Sequence, residues 1–419
     1  MNSEILCIGN ELLDGRIFDR NAGLLCRALK AEDIEVHSVC FIRDSVQAIT
    51  GAVKLATLRS ESLIITGGLG STIDDITRET LIKISGAKKH LDKKEKKRLM
   101  TLLSAKDNIR DYEKNLILKQ AFFPQNSKVL TNPIGSASAF VFPLKEDFFC
   151  AAFPGVPIEL EAILKIYNFR DLLFPFIKKQ TMQSCERIFR FFGVGELRIN
   201  EKIKFLHSNY PDISFSILPD LGEVSLIIRG NPDCIEKLEN EVINFFPHNL
   251  FGRDEKDIFD SLALSLKSNE HSLSVCESMT GGLLGEKLTQ SSGASEFFAG
   301  GYILYSNASK QHTLKLPEGL LQKYGPVSSV CAREMAVKTR EHFSTDFALS
   351  ITGYAENPEH GKKNAATEGY VHIGLAARKE SLLFEHKFSG NRAMVRLRAA
   401  KYACAHLKNY LNTRKKPNK

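Results

Sequence analysis

Short apolar runs that stop at a glycine and give way to a helical pattern dominate this chain. Residues 5–8 end at Gly9, residues 62–66 end at Gly67 and Gly68, and residues 272–276 lead into Ser278-Met279-Thr280-Gly281-Gly282. Between the first two runs, residues 20–31 carry Leu24, Leu25 and Leu29 at helical spacing, and residues 34–42 read as another strand. An apolar run of four to eight residues bounded by glycine suits a strand buried on both faces. Strands that alternate with helices assemble a parallel sheet covered by helices on each side. Ligands of such sheets bind beyond the carboxyl ends of the strands, where Gly9 and Gly67 fall.

The texture changes near residue 170. Residues 187–192 read as a strand, 197–206 as a helix, 213–217 and 223–228 as strands joined by a turn at 219–222, and 233–246 as a helix. This small α+β module shows no constellation of catalytic groups and reads as a spacer or interface domain. Strands at 272–276, 301–305, 347–352, 369–376 and 381–388, with helices at 328–342 and 391–411, then suffice for a further α/β domain. The expected division is 1–170, 171–254 and 255–413, followed by a basic tail at 414–419.

Composition narrows the function classes. With 43% apolar and 25% charged residues, a chain of 419 residues is not intrinsically disordered. No apolar stretch approaches the length of a membrane span, and the first residues lack the basic start and apolar run of a secretory signal. Nine cysteines, without a C-x-x-C pair, argue against a disulfide scaffold or a thiolate zinc site, and for a cytoplasmic location. The net charge of +8 comes partly from Lys93, Lys94, Lys96, Lys97 and Arg98, and from Arg414, Lys415, Lys416 and Lys419. The first run reads as a solvated helix face and the second as a frayed end. Neither carries interleaved aromatics that could stack bases, which argues against nucleic acid.

Two stretches could carry chemistry. In the last third, Thr280-Gly281-Gly282 opens a helix, a place where backbone N–H groups and the helix dipole favour an anion. Ser278 and Thr280 add hydroxyls. Fifteen residues and one strand separate Ser295 from Lys310, so a hairpin-like return could join them. A serine needs a base to lose its proton, and lysine serves only when desolvation lowers its pKa. No histidine of this stretch suits a triad, which leaves a Ser–Lys pair suited to amide hydrolysis. The plainer reading has Ser295 capping a turn and Lys310 in solvent.

Near the start, Gly9-Asn10-Glu11 and Asn21 precede Thr66-Gly67-Gly68-Leu69-Gly70-Ser71-Thr72-Ile73-Asp74-Asp75. A glycine turn with two adjacent carboxylates suits a phosphate held with a divalent cation, with Asp74 or Asp75 on the metal. Alternatively, Asp75 merely caps a helix beginning at Ile76.

Over nearly its whole length the chain resembles the CinA competence/damage-inducible family. The matching stations are E-S-M-T-G-G (277–282), G-A-S (293–295), Y-S-N-A-S-K (305–310), G-P-V-S (325–328), I-T-G (351–353) and F-S-G-N-R (388–392). Its first part, through residues 66–79, 132–137 and 153–159, resembles the molybdopterin-binding fold as that family uses it. The resemblance implies an N-terminal molybdopterin-binding-like domain, a small α+β middle domain and a C-terminal α/β domain of CinA type.

Further, it implies that the C-terminal domain hydrolyses the carboxamide of nicotinamide mononucleotide without a cofactor. Ser295 is then the nucleophile, Lys310 its base, Ser278, Thr280, Gly281, Gly282 and Tyr305 substrate or oxyanion contacts, and Arg392 or Arg396 phosphate partners. For the N-terminal domain it implies a metal-dependent ADP-ribose pyrophosphatase. There Gly9, Glu11, Asn21, Gly67, Gly68, Gly70 and Thr72 would bind substrate, and Asp74 and Asp75 the metal. The expected partners are small pyridine nucleotides and a second copy of the chain in a homodimer. Two other readings are a catalytically degenerate binding or adaptor protein in DNA uptake or recombination, and a molybdopterin-cofactor enzyme.

The chain departs from the family pattern at 354–358 (Tyr-Ala-Glu-Asn-Pro), at 366–369 (Ala-Thr-Glu-Gly), at Asn391 and at Ser71. The first of these moves Glu356 toward the expected phosphate region.

Overall fold

The computed structural model describes residues 2–104, 110–169, 172, 185–254, 257–317, 319–356 and 369–414. The chain divides into two compact units, residues 1–183 and 184–419. Among the described residues no helix is long and apolar enough to cross a membrane.

The first unit is built on β1 (Asn2–Ile8), β2 (Glu35–Ile42) and β3 (Ser62–Thr66), a small pair β4 (Lys89–Leu91) and β5 (Phe122–Pro124), then β6 (Lys128–Leu130), β7 (Ala139–Lys145) and β8 (Phe148–Phe153). Its main sheet runs β2-β1-β3-β8-β7-β6. Successive side chains of a strand face opposite sides, so an all-apolar strand must be covered twice. Strand β1 obeys this rule. Ile5 and Cys7 pack with Leu25, Leu29, Leu160 and Ile163 on one face. Leu6 and Ile8 pack with Ile49, Val53, Ala56 and Leu81 on the other.

The sheet is mixed, where the sequence suggested a parallel one. β2, β1, β3 and β8 are parallel neighbours, while β7 pairs antiparallel with both β8 and β6. Only Glu146 and Asp147, the latter at φ 57, separate β7 from β8. A parallel crossover needs a dozen or more residues, so this two-residue link dictates a hairpin.

One surface expectation also changes. Lys93, Lys94, Lys96 and Lys97 are exposed, but Arg98 turns inward to the buried Glu95 at 2.6 Å. Its guanidinium also donates to the carbonyls of Asn132, Gly135 and Ser136. It thereby pins the loop that carries Ser136 and Ala137 to the edge of the cleft described below.

In the second unit, β9 (Cys185–Phe192), β10 (Ser214–Asp220), β11 (Glu223–Gly230) and β12 (Leu250–Arg253) form an antiparallel sheet ordered β10-β11-β9-β12. The hairpin turn is tighter than 219–222: Asp220 pairs with Glu223, leaving Leu221 and Gly222, the latter at φ 83. Pro219 is tolerated because β10 lies at an edge, where a missing N–H costs no ladder bond.

A second sheet, β14-β13-β15-β16-β17, follows from β13 (Leu273–Glu277), β14 (Phe298–Ile303), β15 (Phe347–Gly353), β16 (Tyr370–Ala376) and β17 (Ser381–Lys387). Its first three strands are parallel neighbours, and β16 pairs antiparallel with both β15 and β17. Helices Ile258–Ser268 and Arg392–Arg414 supply Leu262, Leu266, Ala399 and Ala403 to its main core.

The middle module is no detached spacer. Phe192 and Phe251 belong to that same core, and the buried Lys401 meets Asp220 at 2.5 Å and Glu223 at 2.9 Å. The expected boundaries at 170/171 and 254/255 abut residues outside the described ones, as do residues 415–419 of the tail.

Candidate functional sites

In the first unit, the neighbouring strands β1, β3 and β8 end side by side, and Gly9, Gly67 and Gly155 lie just beyond them. A cleft of 560 Å³ opens there. Gly67 has φ 105, and a Cβ at that position would lie 2.1 Å from the carbonyl oxygen of Ile8. Only glycine lets the two strand ends approach so closely. The cleft is lined by Gly9, Glu11, Asn21, Gly67, Gly68, Gly70, Thr72, Asp74 and Asp75, all the residues expected from the sequence for this domain.

The acidic pair does not cap a helix. The following helix, Thr77–Ser85, has no side-chain cap at Ile76. Asp75 instead closes a turn by accepting the Thr72 N–H at 2.8 Å. The Thr72 hydroxyl lies 2.5 Å from Asp74 and 2.6 Å from Asp75. One hydroxyl proton serves one carboxylate at a time, so the pair keeps spare lone pairs facing the cleft.

A third acid, which the sequence reading missed, belongs with them. Asp44 follows β2, accepts the Asn10 N–H at 2.9 Å and lines the same cleft. Burial pushes its pKa up; the Asn10 N–H opposes this, while the charges of Glu11, Asp74 and Asp75 add to it. With Asp19 and Glu159 the lining holds six carboxylates against the single cation Arg20. Among the described residues no three of His, Cys, Asp and Glu are grouped to hold an ion unaided. An all-oxygen donor set of this kind suits a hard divalent cation whose shell is completed by ligand phosphates and water.

The second unit presents a pocket of 310 Å³ at the carboxyl edge of β13, β14 and β15. Ser278 follows β13, Tyr305 and Lys310 follow β14, and Gly353 ends β15; all four line the pocket, as do Pro326, Val327, Glu356 and Arg392. Helix Asn307–Leu314 begins in a reciprocal Ser306–Ser309 cap, and its first turn delivers Lys310. Lys310 is only 2% exposed and Ser278 6%. Among the described residues Lys310 has no carboxylate partner; its electrostatic neighbours are the thiols of Cys331 and Cys276. Burial pushes the Lys310 amine below the usual lysine range and pushes the Cys276 thiol up to about 12. The amine is thus drawn toward its neutral form, as a proton acceptor requires.

Within this chain Ser295 does not join Lys310 in the pocket. Ser295 is exposed on the turn Ala294–Glu296 that enters β14, whereas Lys310 lies beyond its exit. Six residues of strand at roughly 3.3 Å each hold the two ends about 20 Å apart. Ser278 shares the pocket with Lys310 instead.

The glycine turn after β13 is also spoken for. The buried Glu277 carboxylate accepts the N–H groups of Gly282, Leu284 and Gly285 at 3.0, 3.0 and 2.8 Å. The anion at that helix start is the protein's own. Thr280, Gly281 and Gly282 therefore lie outside the pocket lining, with the Thr280 hydroxyl buried and unpartnered. Arg396 also lies outside it and donates to the Thr280 carbonyl at 2.5 Å. Arg392 does reach the pocket, where it meets Glu356 at 2.7 Å and the Tyr305 hydroxyl at 2.9 Å. Of the altered segments, Tyr354, Ala355, Glu356 and Gly369 are described, while 357–368 lie outside the described residues.

Comparison with known proteins places these sites in context. Residues 255–411 match the CinA C-terminal domain family, and residues 4–176 match the molybdopterin binding domain family. A competence-damage inducible protein of Thermoanaerobacter pseudethanolicus is 31% identical over 425 residues, covering 98% of each chain. One from Bacillus thuringiensis is 33% identical over 421 residues, covering 97% of this chain and 98% of its own. A solved CinA superfamily protein from Klebsiella pneumoniae is 26% identical, covering 37% of this chain and 96% of its own, with a TM-score of 0.35.

Proposed function

Since this chain belongs to the CinA family of competence-damage inducible proteins, we propose that it is a hydrolase of pyridine nucleotides with two separate sites. The reading rests most on one observation: a buried amine, with no carboxylate partner among the described residues, shares a pocket with a buried serine hydroxyl. Lys310 takes the proton as Ser278 Oγ attacks the carbon of a carboxamide, and an acyl-enzyme forms. The same proton passes to the departing nitrogen, which leaves as ammonia. Water then attacks the acyl group while Lys310 accepts its proton and passes it to Ser278 Oγ as the ester bond breaks, which releases the carboxylic acid and restores both residues. Arg392 can meet a phosphate once Glu356 releases it, which suits nicotinamide mononucleotide as substrate.

In the first unit we propose pyrophosphate cleavage of a nucleotide such as ADP-ribose. Asp74 and Asp75 would hold a divalent cation, which when bound neutralises phosphate charge. The residues of the chain supply the remainder: the glycine turns admit the phosphates closely, and Asp44, drawn toward its protonated form, can exchange a proton with water or phosphate.

Ammonia release from nicotinamide mononucleotide by the full-length protein tests the first assignment. Ser278→Ala and Lys310→Ala should each lose about 10³-fold or more in kcat, as expected for members of a nucleophile–base unit. Ser295→Ala should stay within about twofold, as expected for an exposed position remote from the pocket. An inactive parent protein, or a fully active Ser278→Ala, would overturn the reading.

A further inference from the structure

We propose that the outer part of the N-terminal cleft is a subsite for a nucleobase and its adjoining sugar, built by Phe18 and Asn21. This inference rests on reading the cleft as a phosphate-ester site and names the rest of the ligand.

Phe18 is 97% exposed, the highest value among the large hydrophobic side chains of the described residues, yet it lines the cleft beside Ile17, itself 53% exposed. An aromatic ring held in water at the mouth of a cavity lacks the apolar cover it favours. The same lining also holds the glycine turns Gly9, Gly67, Gly68 and Gly70 and six carboxylates. A ligand that suits both ends is anionic at one and flat and aromatic at the other. Every base offers a π-face for stacking, whatever its hydrogen-bonding edge.

Asn21 supplies the link between the two ends. It is 4% exposed, and its Nδ2 donates to Thr66 Oγ1 at 2.8 Å and to the Gly155 carbonyl at 2.7 Å. The Gly155 carbonyl can only accept, so the amide cannot be turned around. Thr66 in turn donates its proton to the Pro154 carbonyl. The other atom of the amide, Oδ1, is buried without any partner. Buried acceptors are rarely left unpaired. A fully ionised phosphate has no proton to offer, whereas a sugar hydroxyl has. Asn21 opens the helix Asn21–Lys30 three residues after Phe18, so one loop–helix junction can address sugar and base together.

The chain contains no tryptophan. Phe18→Trp therefore introduces a single indole reporter into the full-length protein. Adenosine monophosphate and inorganic pyrophosphate are titrated in magnesium-containing buffer. Quenching by the nucleotide and not by pyrophosphate is the expected result. Phe18→Ala should weaken nucleotide binding about 10-fold, within the range for loss of one stacked base, with pyrophosphate binding unchanged. A 2′,3′-dideoxy nucleotide should bind more weakly than its hydroxylated parent.

Equal losses for nucleotide and pyrophosphate, or no loss for either, would overturn the proposal. So would a Phe18→Ala protein that keeps its nucleotide affinity but changes its association state, which would assign the ring to a protein contact. None of these readouts requires turnover. Base-selective binding without ADP-ribose hydrolysis would sink the catalytic reading and leave this subsite standing.

Discussion

The two clefts are unbalanced in opposite senses. The first gathers Glu11, Asp19, Asp44, Asp74, Asp75 and Glu159 around one arginine. The second buries an amine that has no carboxylate partner among the described residues, while its one acid, Glu356, is paired with Arg392. Charges of one sign brought together, or one charge buried alone, disfavour the folded state. A fold whose sheets are otherwise well packed keeps such features where a ligand or a reaction uses them. The contrast also separates the chemistries. On the proposed reading, the crowded carboxylates would take a cation with an anionic ligand, and the desolvated amine a neutral group whose proton it accepts.

If the sites are independent, removing the charge of one should not disturb the other. Asp74→Asn combined with Asp75→Asn keeps acceptor oxygens for the Thr72 turn but removes both charges. ADP-ribose cleavage should fall about 10²-fold or more, the loss expected when groups acting directly on the reacting phosphates are removed. Ammonia release from nicotinamide mononucleotide should be unchanged. Parallel loss of both activities would break the comparison, since it would require one site to depend on the other.

Stability against pH sharpens the same contrast, because the two misplaced charges carry opposite signs. Lys310 has its folded pKa below the ordinary 10.5, so its cost to folding is present at neutral pH and disappears as pH climbs from the folded value through 10.5. Lys310→Met should raise stability at neutral pH, seen as a higher melting temperature. That advantage shrinks as pH rises. Asp44 has its folded pKa above the ordinary 3.8, so its cost is absent below 3.8 and appears as pH rises through the folded value. Asp44→Asn should give a smaller gain, screened by solvent, that grows with pH. Melting temperatures of both variants across the pH range settle the matter: slopes of the same sign would contradict the assignments.

The same contrast shows what the sequence could disclose. Strand β3 and the core of β1 were legible because an all-apolar run between glycines has few alternatives, and 62–66 is the observed span. The N-terminal site was legible because most of it lies in one loop, residues 66–75, so that sequence neighbours are spatial neighbours. Asp44 was not, since it joins that loop only through the order β2-β1-β3. In the second unit, the spacing of Ser295 and Lys310 does not reveal which end of β14 each group occupies. The Thr-Gly-Gly turn was misread for a related reason: spacing reveals free N–H groups but not that Glu277, just upstream, takes three of them. Long-range topology and short-range competition for donors are the two things a linear pattern conceals.

The smallest predicted effect concerns the acid that sets the C-terminal pocket apart from its family pattern. Arg392 is held by Glu356 and by Tyr305, and both hydrogen bonds favour its charged form. An incoming phosphate must compete with Glu356 for the guanidinium. This ion pair is solvent-exposed, with side-chain exposures of 44% and 53%, so breaking it costs little. Glu356→Gln removes the competing charge and should lower KM for nicotinamide mononucleotide by about two- to fivefold, with kcat unchanged. Nicotinamide riboside, which has the same amide and no phosphate, is the control, and its kinetics should not respond. If both substrates gained equally, the substitution would be acting on the pocket in general and Arg392 would lose its role as phosphate partner. A gain confined to the phosphorylated substrate would show that this chain keeps its anion site partly blocked by its own carboxylate. That arrangement is the mirror image of the first unit, where carboxylates are what a cation-bearing phosphate needs.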